Sequence, residues 1–455
     1  MDQAKRRRIT AGKMAAGGLA ALILLAGPWL ASAQETAQGE ALNMETAIRL
    51  ALQNNERAIS AEQNVVVADA ELKKARAYFL PTLSVSGSYT RRPFEVARLI
   101  GNQNIIVQSY NSLSGAANFS LTLFDSRSLP ALLQANSNFK ADVLSTSDSK
   151  RLLAFEVASA FVGTLSQDQV LEASKSRLDF ARQSLDAAKA RFAAGLVSSN
   201  DVTRAELEYA TAELGVTQAK GQVDTTYLNL GYLLNTPTPT KLGAPEFLFR
   251  AAEAPLAPAE ELIAQAQARR PDISSLRWTA KGQHDSILDP TLKWLPSLTL
   301  TGRYTYTNEP GLTGRTFNWN TGLTMSWSVF DGLTRNNDFF ERRALAYQAD
   351  LNLKAALRKV EVDVRGAIVS LESQRAALRQ ATIAHDIATR NAAETYELYR
   401  QGLSSALEVA DANVRLFEAA VNLVRARYGL AVSYLSFESA LGLDPLGKEP
   451  AFEND

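Results

Sequence analysis

Cysteine is absent from all 455 residues. That excludes disulfides, thiolate metal sites, a Cys nucleophile and an N-terminal lipidated cysteine acting as a membrane tether. Histidine is nearly absent: His284 and His385 are the two in the chain. Neither has sequence neighbours that suggest a metal site, and both are expected to be ordinary helix residues. No nucleophile–base pair, metal cluster or phosphate loop stands out, so neither a cofactor nor catalysis is expected. A basic excess is missing too, with 48 Lys+Arg against 48 Asp+Glu, which gives no support to nucleic-acid binding. Beyond the N-terminus no apolar run approaches the roughly 18–20 residues of a membrane helix. Proline is missing from Ala131 to Ala194 and from Leu333 to Gln401, stretches that hold one glycine each, Gly163 and Gly366.

What is present begins with a targeting signal. Arg6, Arg7, Arg8 and Lys13 precede the apolar Ala20-Ala-Leu-Ile-Leu-Leu-Ala26, and Ala31-Ser-Ala33 is a small-residue cleavage site. Residues 1–33 are therefore expected to be a signal peptide. Its removal takes five basic residues and one acid from the two sets of 48, leaving 43 against 47. The expected product is exported and has no spanning helix.

The chain then repeats itself. Phe79-Leu-Pro-Thr-Leu-Ser-Val-Ser-Gly-Ser-Tyr-Thr90 returns as Trp294-Leu-Pro-Ser-Leu-Thr-Leu-Thr-Gly-Arg-Tyr-Thr305. Leu123-Phe-Asp125 returns as Val329-Phe-Asp331, and the Gly195-Leu196 segment as Gly402-Leu403. Three landmarks in the same order predict an internal duplication. The first repeat is expected over 34–235, with strands near 82–90 and 117–124 and a long helix near 129–195. The second is expected over 259–442, with strands near 297–307 and 317–330 and a long helix near 333–401. Met44 to about Tyr78 reads as one helix, the stretch before Asn111 as a loop, 236–258 as a proline-rich connector lying outside the helices, and 443–455 as a loose tail.

In the strands Leu83, Val85 and Tyr89 alternate with Ser84, Ser86 and Ser88, and Leu298, Leu300 and Tyr304 with Thr299, Thr301 and Arg303. Ten-residue strands with one apolar and one small polar face suit a membrane barrel around a wet lumen. Four strands cannot close a barrel, and open edges in lipid leave unpaired backbone groups. Several chains must contribute: two would supply eight strands and three would supply twelve. The proline-free helices would each reach roughly 100 Å, too long for a globular core, so they are expected to pack side by side.

These landmarks make the chain resemble the TolC-type outer-membrane efflux protein family over essentially the whole exported sequence. The matching residues are Leu80-Pro81 and Leu295-Pro296, Phe124-Asp125 and Phe330-Asp331, and the two Gly-Leu turns. Asn54-Asn55 and Arg270-Pro271-Asp272 sit where the family has an Asn-Pro-like helix element, although Glu56 replaces the proline in the first. The resemblance implies a mixed fold of long coiled-coil helices and transmembrane β-strands. It implies a homotrimer whose twelve-stranded β-barrel, embedded in outer-membrane lipid, continues as a twelve-helix α-barrel through the periplasm. It also implies an exit duct of a tripartite efflux or type I secretion system. Its partners would be a periplasmic adaptor (membrane fusion) protein and an inner-membrane transporter of RND, ABC or MFS type. A non-transporting periplasmic coiled-coil scaffold or adaptor is the other reading; it accounts for the helices but not for the strands.

Gly195, Leu196, Val202, Gly402, Leu403 and Val409 are expected at the periplasmic tips, either as the adaptor-docking surface or as the chemistry of the hairpin turns; both can hold. Asp201 and Glu408 each lie three residues after a serine, Ser198 and Ser405, the spacing of a helix capping box. By the resemblance, Glu408 and Asp411 line the constriction of the tunnel, and three copies would form an anionic ring. Arg204 is the first-half counterpart of Asp411 and is the expected partner for it. Leu403-Ser404 stands where the family has a basic residue, so the closing network differs here. Phe124-Asp125 and Phe330-Asp331 are expected to mark the barrel-to-helix junctions.

Overall fold

The computed structural model describes residues 41–101, 103–238, 241–310 and 314–449. The expected signal peptide and residues 450–455 of the expected tail lie outside the described residues. From Leu42 onward the chain forms one unit. It begins with helices α1 (Met44–Asn54) and α2 (Glu56–Ala77), then strand β1 (Thr82–Arg91), a small hairpin of β2 (Val96–Ile100) and β3 (Gln103–Gln108), and strand β4 (Asn111–Phe124). Helices α3 (Ser128–Ala193) and α4 (Ser199–Leu234) follow, and α5 (Glu246–Glu253) lies between the halves. The second half runs α6 (Ala259–Arg269), α7 (Pro271–Ser286), α8 (Leu288–Leu292), β5 (Ser297–Thr307), β6 (Phe317–Ser326), α9 (Thr334–Arg400) and α10 (Ala406–Ala440).

Each half opens with a broken helix, and the two breaks use different chemistry. Asn55 interrupts the single helix expected over 44–78. Its backbone is extended (φ −75°, ψ 130°), its side-chain oxygen accepts from the Arg57 N–H at 2.9 Å, and its amide donates to the Leu233 carbonyl at 2.9 Å. An asparagine thus caps α2 and ties the break to α4. In the second half Pro271 forces Arg270 out of the helical region (φ −61°, ψ 125°) and opens α7. Arg270 bridges Asp272 at 2.8 Å and Asp363 of α9 at 3.2 Å. Burial opposes ionisation of Asp272, but the adjacent guanidinium prevails and holds its carboxyl below the usual range.

The main sheet is antiparallel in the order β1-β4-β5-β6. Its register places Val85, Ala117, Tyr304 and Trp319 in one row and Ser84, Asn118, Arg303 and Asn320 in the next. One face is therefore apolar and the other polar. β4 starts at Asn111 rather than 117, and β6 ends at Ser326 rather than 330. The expected loop before Asn111 contains the hairpin β2–β3. At the loop end of the sheet the Glu309 carboxylate accepts from the Ser109 N–H at 2.6 Å, the Ser112 hydroxyl at 2.8 Å and the Arg92 guanidinium. The Ser109 bond foremost, with the others, outweighs burial and keeps that carboxyl low.

α3 and α9 span 66 and 67 residues, each about 100 Å long. Two apolar clusters gather midway along them. One joins α1, α3, α4, α5 and α10 through side chains such as Val157, Phe161, Leu230, Leu248 and Leu435. The other joins α6, α7, α9 and α10 through Leu262, Ile273, Val360, Leu371 and Leu430. Each fully buried Val, Leu, Ile or Phe here contributes about 1.5–3 kcal/mol. The connector does not simply lie outside: Leu248 of α5 is fully buried, and Phe249 meets Tyr428 edge-on at 5.5 Å. Apolar spacing on an eight-residue helix overrode the proline content around it.

Candidate functional site at the hairpin tips

The far ends of α3/α4 and α9/α10 are two turns built alike. Gly195 (φ +71°) and Gly402 (φ +81°) take the left-handed conformation that closes a helix C-terminus. The Leu196 N–H then bonds the Arg191 carbonyl, and the Leu403 N–H the Leu398 carbonyl, both at 2.9 Å. Leu196 and Leu403 project outward, each 74% exposed. Downstream, both expected capping boxes are formed. The Asp201 carboxylate accepts from the Ser198 N–H at 3.1 Å and its hydroxyl at 2.9 Å. Glu408 accepts from the Ser405 N–H at 2.8 Å and returns its own N–H to the Ser405 hydroxyl at 3.3 Å. The Ser404 hydroxyl donates a further bond to Glu408, and together with the Ser405 bonds it lowers the Glu408 pKa.

Two expectations change. Asp411 does not pair with Arg204 within the chain. Its partner is Arg415, one turn along α10, at 2.8 Å, with both side chains exposed. Arg204 makes no ion pair among the described residues and instead borders a cavity. Val409, expected on the docking surface, is buried (4% exposed), on the face of α10 that borders α3 and α4. Val202 is half-buried, which leaves the glycines and the two leucines as the presented part of the tips.

The cavity, about 330 Å³, lies between the two hairpins. Ala181 and Ala188 of α3, Arg204 and Ala205 of α4, and Val409 and Ala410 of α10 form much of its wall. Two arginines that the sequence reading passed over close the seam around it. Arg177 bonds Glu208 of α4 at 2.8 Å and lies 5.0 Å from the ring centre of Phe417 on α10. Arg191 of α3 donates to the Tyr399 and Arg400 carbonyls, at 2.9 and 3.2 Å, and stacks 4.0 Å from the Tyr399 ring centre. It thereby adds a side-chain bond to two carbonyls in the last turn of α9, of which that of Tyr399 also accepts from the Gly402 N–H at 3.1 Å. Its position four residues before the tip glycine, where the second half has Leu398, was the available signal.

Long helical hairpins extending from an open-edged antiparallel sheet define the class of outer-membrane channel proteins. The sequence comparisons agree. The model of the family "Outer membrane efflux protein" matches residues 47–236 and 262–443. The chain is 25% identical over 413 residues to the outer membrane protein TolC of Vibrio cholerae, covering 88% of this chain and 90% of that protein. It is 24% identical over 428 residues to nodulation protein T of Rhizobium leguminosarum bv. trifolii, covering 91% and 85%. Among solved structures, the fold matches the outer membrane protein VceC of Vibrio cholerae (TM-score 0.72, 18% identity, 88% of this chain and 96% of that one). It also matches the CmeC outer membrane channel of Campylobacter jejuni (TM-score 0.74, 18% identity, 90% and 87%). The chain belongs to the outer membrane efflux protein family, and its location is the outer membrane.

Proposed function

We propose that this protein is a passive exit duct that works as a homotrimer. The observation that carries this is the sheet. β1 and β6 form its two edges, with no strand beyond either among the described residues. The apolar face is bare, with Val85 79%, Trp319 70% and Met325 66% exposed. Such a sheet is stable in lipid only when its edges are paired. Pairing β1 of one chain with β6 of the next closes a barrel, and three chains give twelve strands within the range of known membrane barrels. The same three chains set their helices side by side as a twelve-helix tunnel through the periplasm. Outer-membrane fractionation and planar-bilayer conductance test this; a soluble, monomeric, non-conducting protein overturns it.

The duct serves a tripartite efflux or type I secretion system. A periplasmic adaptor meets the tips, and an inner-membrane transporter of RND, ABC or MFS type supplies the energy. Gly195, Leu196, Gly402 and Leu403 are the contact surface, with Val202 and Val409 setting the turns from behind. Nothing lies within 4 Å of where a Cβ at Gly402 would stand, so a large side chain there points away from the fold. Its positive φ costs about 1–2 kcal/mol in the turn. Gly402→Trp therefore leaves folding and trimerisation intact and abolishes export; normal export by this variant removes the docking surface. Glu408 and Asp411, contributed three times, ring the closed entrance and favour cations there, with Asp201 and Arg204 in the wall of the cavity between the hairpins.

A further inference from the structure

We infer that the cavity between the two hairpin tips binds a small amphipathic anion: an aromatic or branched apolar body carrying one sulfonate or carboxylate. Its volume, about 330 Å³, falls within the roughly 300–1,000 Å³ of small-molecule sites. Its bed is apolar and made of small side chains. Ala181, Ala188 and Val409 are each no more than 4% exposed, so the space between the hairpins is left open by alanine and not filled by a larger residue.

The charged groups around that bed decide the sign of the ligand. Asp201 is held in its capping box by Ser198. Arg177 and Glu208 bond each other, and the Arg177 guanidinium also lies against Phe417. Arg204 is the one charged group of the wall with no hydrogen bond or ion pair among the described residues. The Ser184 hydroxyl and the Asn413 amide also line the space without a hydrogen-bond partner among those residues. An unpaired guanidinium with two further donors, beside a bed of methyl groups, matches an oxyanion on an apolar body. Such a ligand touches α3, α4 and α10 at once, and so spans the seam that Arg177 and Arg191 also hold. Occupancy favours the arrangement in which the two hairpins lie together.

The test uses 4-(trifluoromethyl)benzenesulfonate as the probe. The purified full-length protein is placed in lipid nanodiscs, with empty nanodiscs subtracted, and binding is read by fluorine NMR line broadening. Saturable binding is expected. Arg204→Gln should weaken it by about tenfold or more, the loss of one charge-assisted bond. Ala410→Phe, which fills the space, should abolish it, and Ala205→Phe does the same from the α4 side. Arg390→Gln, an exposed arginine on α9 away from the cavity, should leave it unchanged. Far-ultraviolet dichroism and size-exclusion elution establish that each variant is folded; Arg204 is exposed, so its replacement leaves the core intact. Absence of saturable binding overturns the site. So does binding that survives both Arg204→Gln and the filling variants, or equal binding of the uncharged methyl sulfone analogue. Binding, not export, is read, so a negative result leaves the duct proposal standing and the reverse is equally true.

Discussion

The two hairpins share a turn and differ in how they are held. Twenty of the 66 residues of α3 are buried, against seven of the 67 of α9. Val362, Val369, Ile383 and Ile387 of α9 are all more than half exposed. α3 is braced within its own chain, whereas α9 leaves a longer stretch of apolar surface uncovered. At the tip the asymmetry is sharper. Arg191 of the first hairpin grips the end of α9, while the equivalent Leu398 only contributes its carbonyl to the second turn. Elements held by few buried contacts open at the lowest free energy. Of the two long helices, α9 is thus the more weakly held within the chain, and Arg191 ties its end to α3.

The largest expected effect comes from a position where the halves differ most in chemistry. Counted from the tip glycines, Glu438 of α10 corresponds to Gly231 of α4. Glu438 is 5% exposed, and its Oε2 has no hydrogen-bond partner among the described residues. Burial, only partly offset by a Tyr434 hydrogen bond, raises its pKa to about 7. A carboxyl raised in the folded state binds its proton more tightly there than in the unfolded chain. Its stabilising effect is thus full below about pH 4.5 and is lost as pH rises toward 7 and beyond. Glu438→Gln should remove that loss and raise stability at pH 8 by up to roughly 3 kcal/mol, read from denaturant midpoints at pH 5 and pH 8. An unchanged pH dependence in the variant breaks the comparison at this point.

Arg191→Ala should follow. It removes two hydrogen bonds shared by one guanidinium nitrogen and one cation–aromatic contact, about 2 kcal/mol together after solvent screening at this partly exposed end. Amide exchange at the C-terminal end of α9 should quicken, and spontaneous openings in a planar bilayer should become more frequent. Leu398→Ala should do neither. Equal effects from both replacements would mean that the hairpins are tethered alike.

The caps come next. Ser198→Ala and Ser405→Ala should each cost about 1 kcal/mol, shown by fraying of the first turn of α4 or α10. The second cap should also answer to acid. The Glu408 pKa is depressed, so its contribution is present above the ordinary carboxylate value and lost as pH falls through the lowered one. Smallest for stability is Asp411→Ala, which loses only an exposed pair with Arg415 and should leave the melting temperature unchanged. Its conductance is the decisive reading: unchanged current and cation selectivity would remove the anionic ring.

Much of this was legible in the sequence because the strongest signals are local. Proline-free runs ending in Gly195 and Gly402 bounded α3 and α9 to within a few residues, and the serine–acid spacings gave both caps. The errors have equally local causes. Val96, Ile100, Ile105 and Val107 flank Gly101-Asn102, a hairpin signal that the expected loop concealed. Asn55 breaks a helix without proline, through a side chain whose amide reaches Leu233, 178 residues away. The Asp411–Arg204 pairing came from matching the halves along the sequence. What decides it is that Arg415 lies one turn away on the same helix, an i,i+4 pair that needs no tertiary structure. The cavity was beyond reach, since alanines on three helices define a space only once those helices are packed.

The midway core that contains α5 bears on when the chain can fold. Leu42 pairs its backbone with the connector at Leu242, and the same cluster takes Val157 and Phe161 from α3, Leu230 from α4, Leu248 from α5 and Leu435 from α10. Its parts come from the start, the middle and the last helix of the chain. A polypeptide that emerges N-terminus first cannot complete this core until α10 has arrived, and contacts so distant in sequence form slowly. Until α10 arrives the chain holds bare strand edges and an incomplete core, the kind of exposed surface that makes a partly delivered chain prone to aggregate.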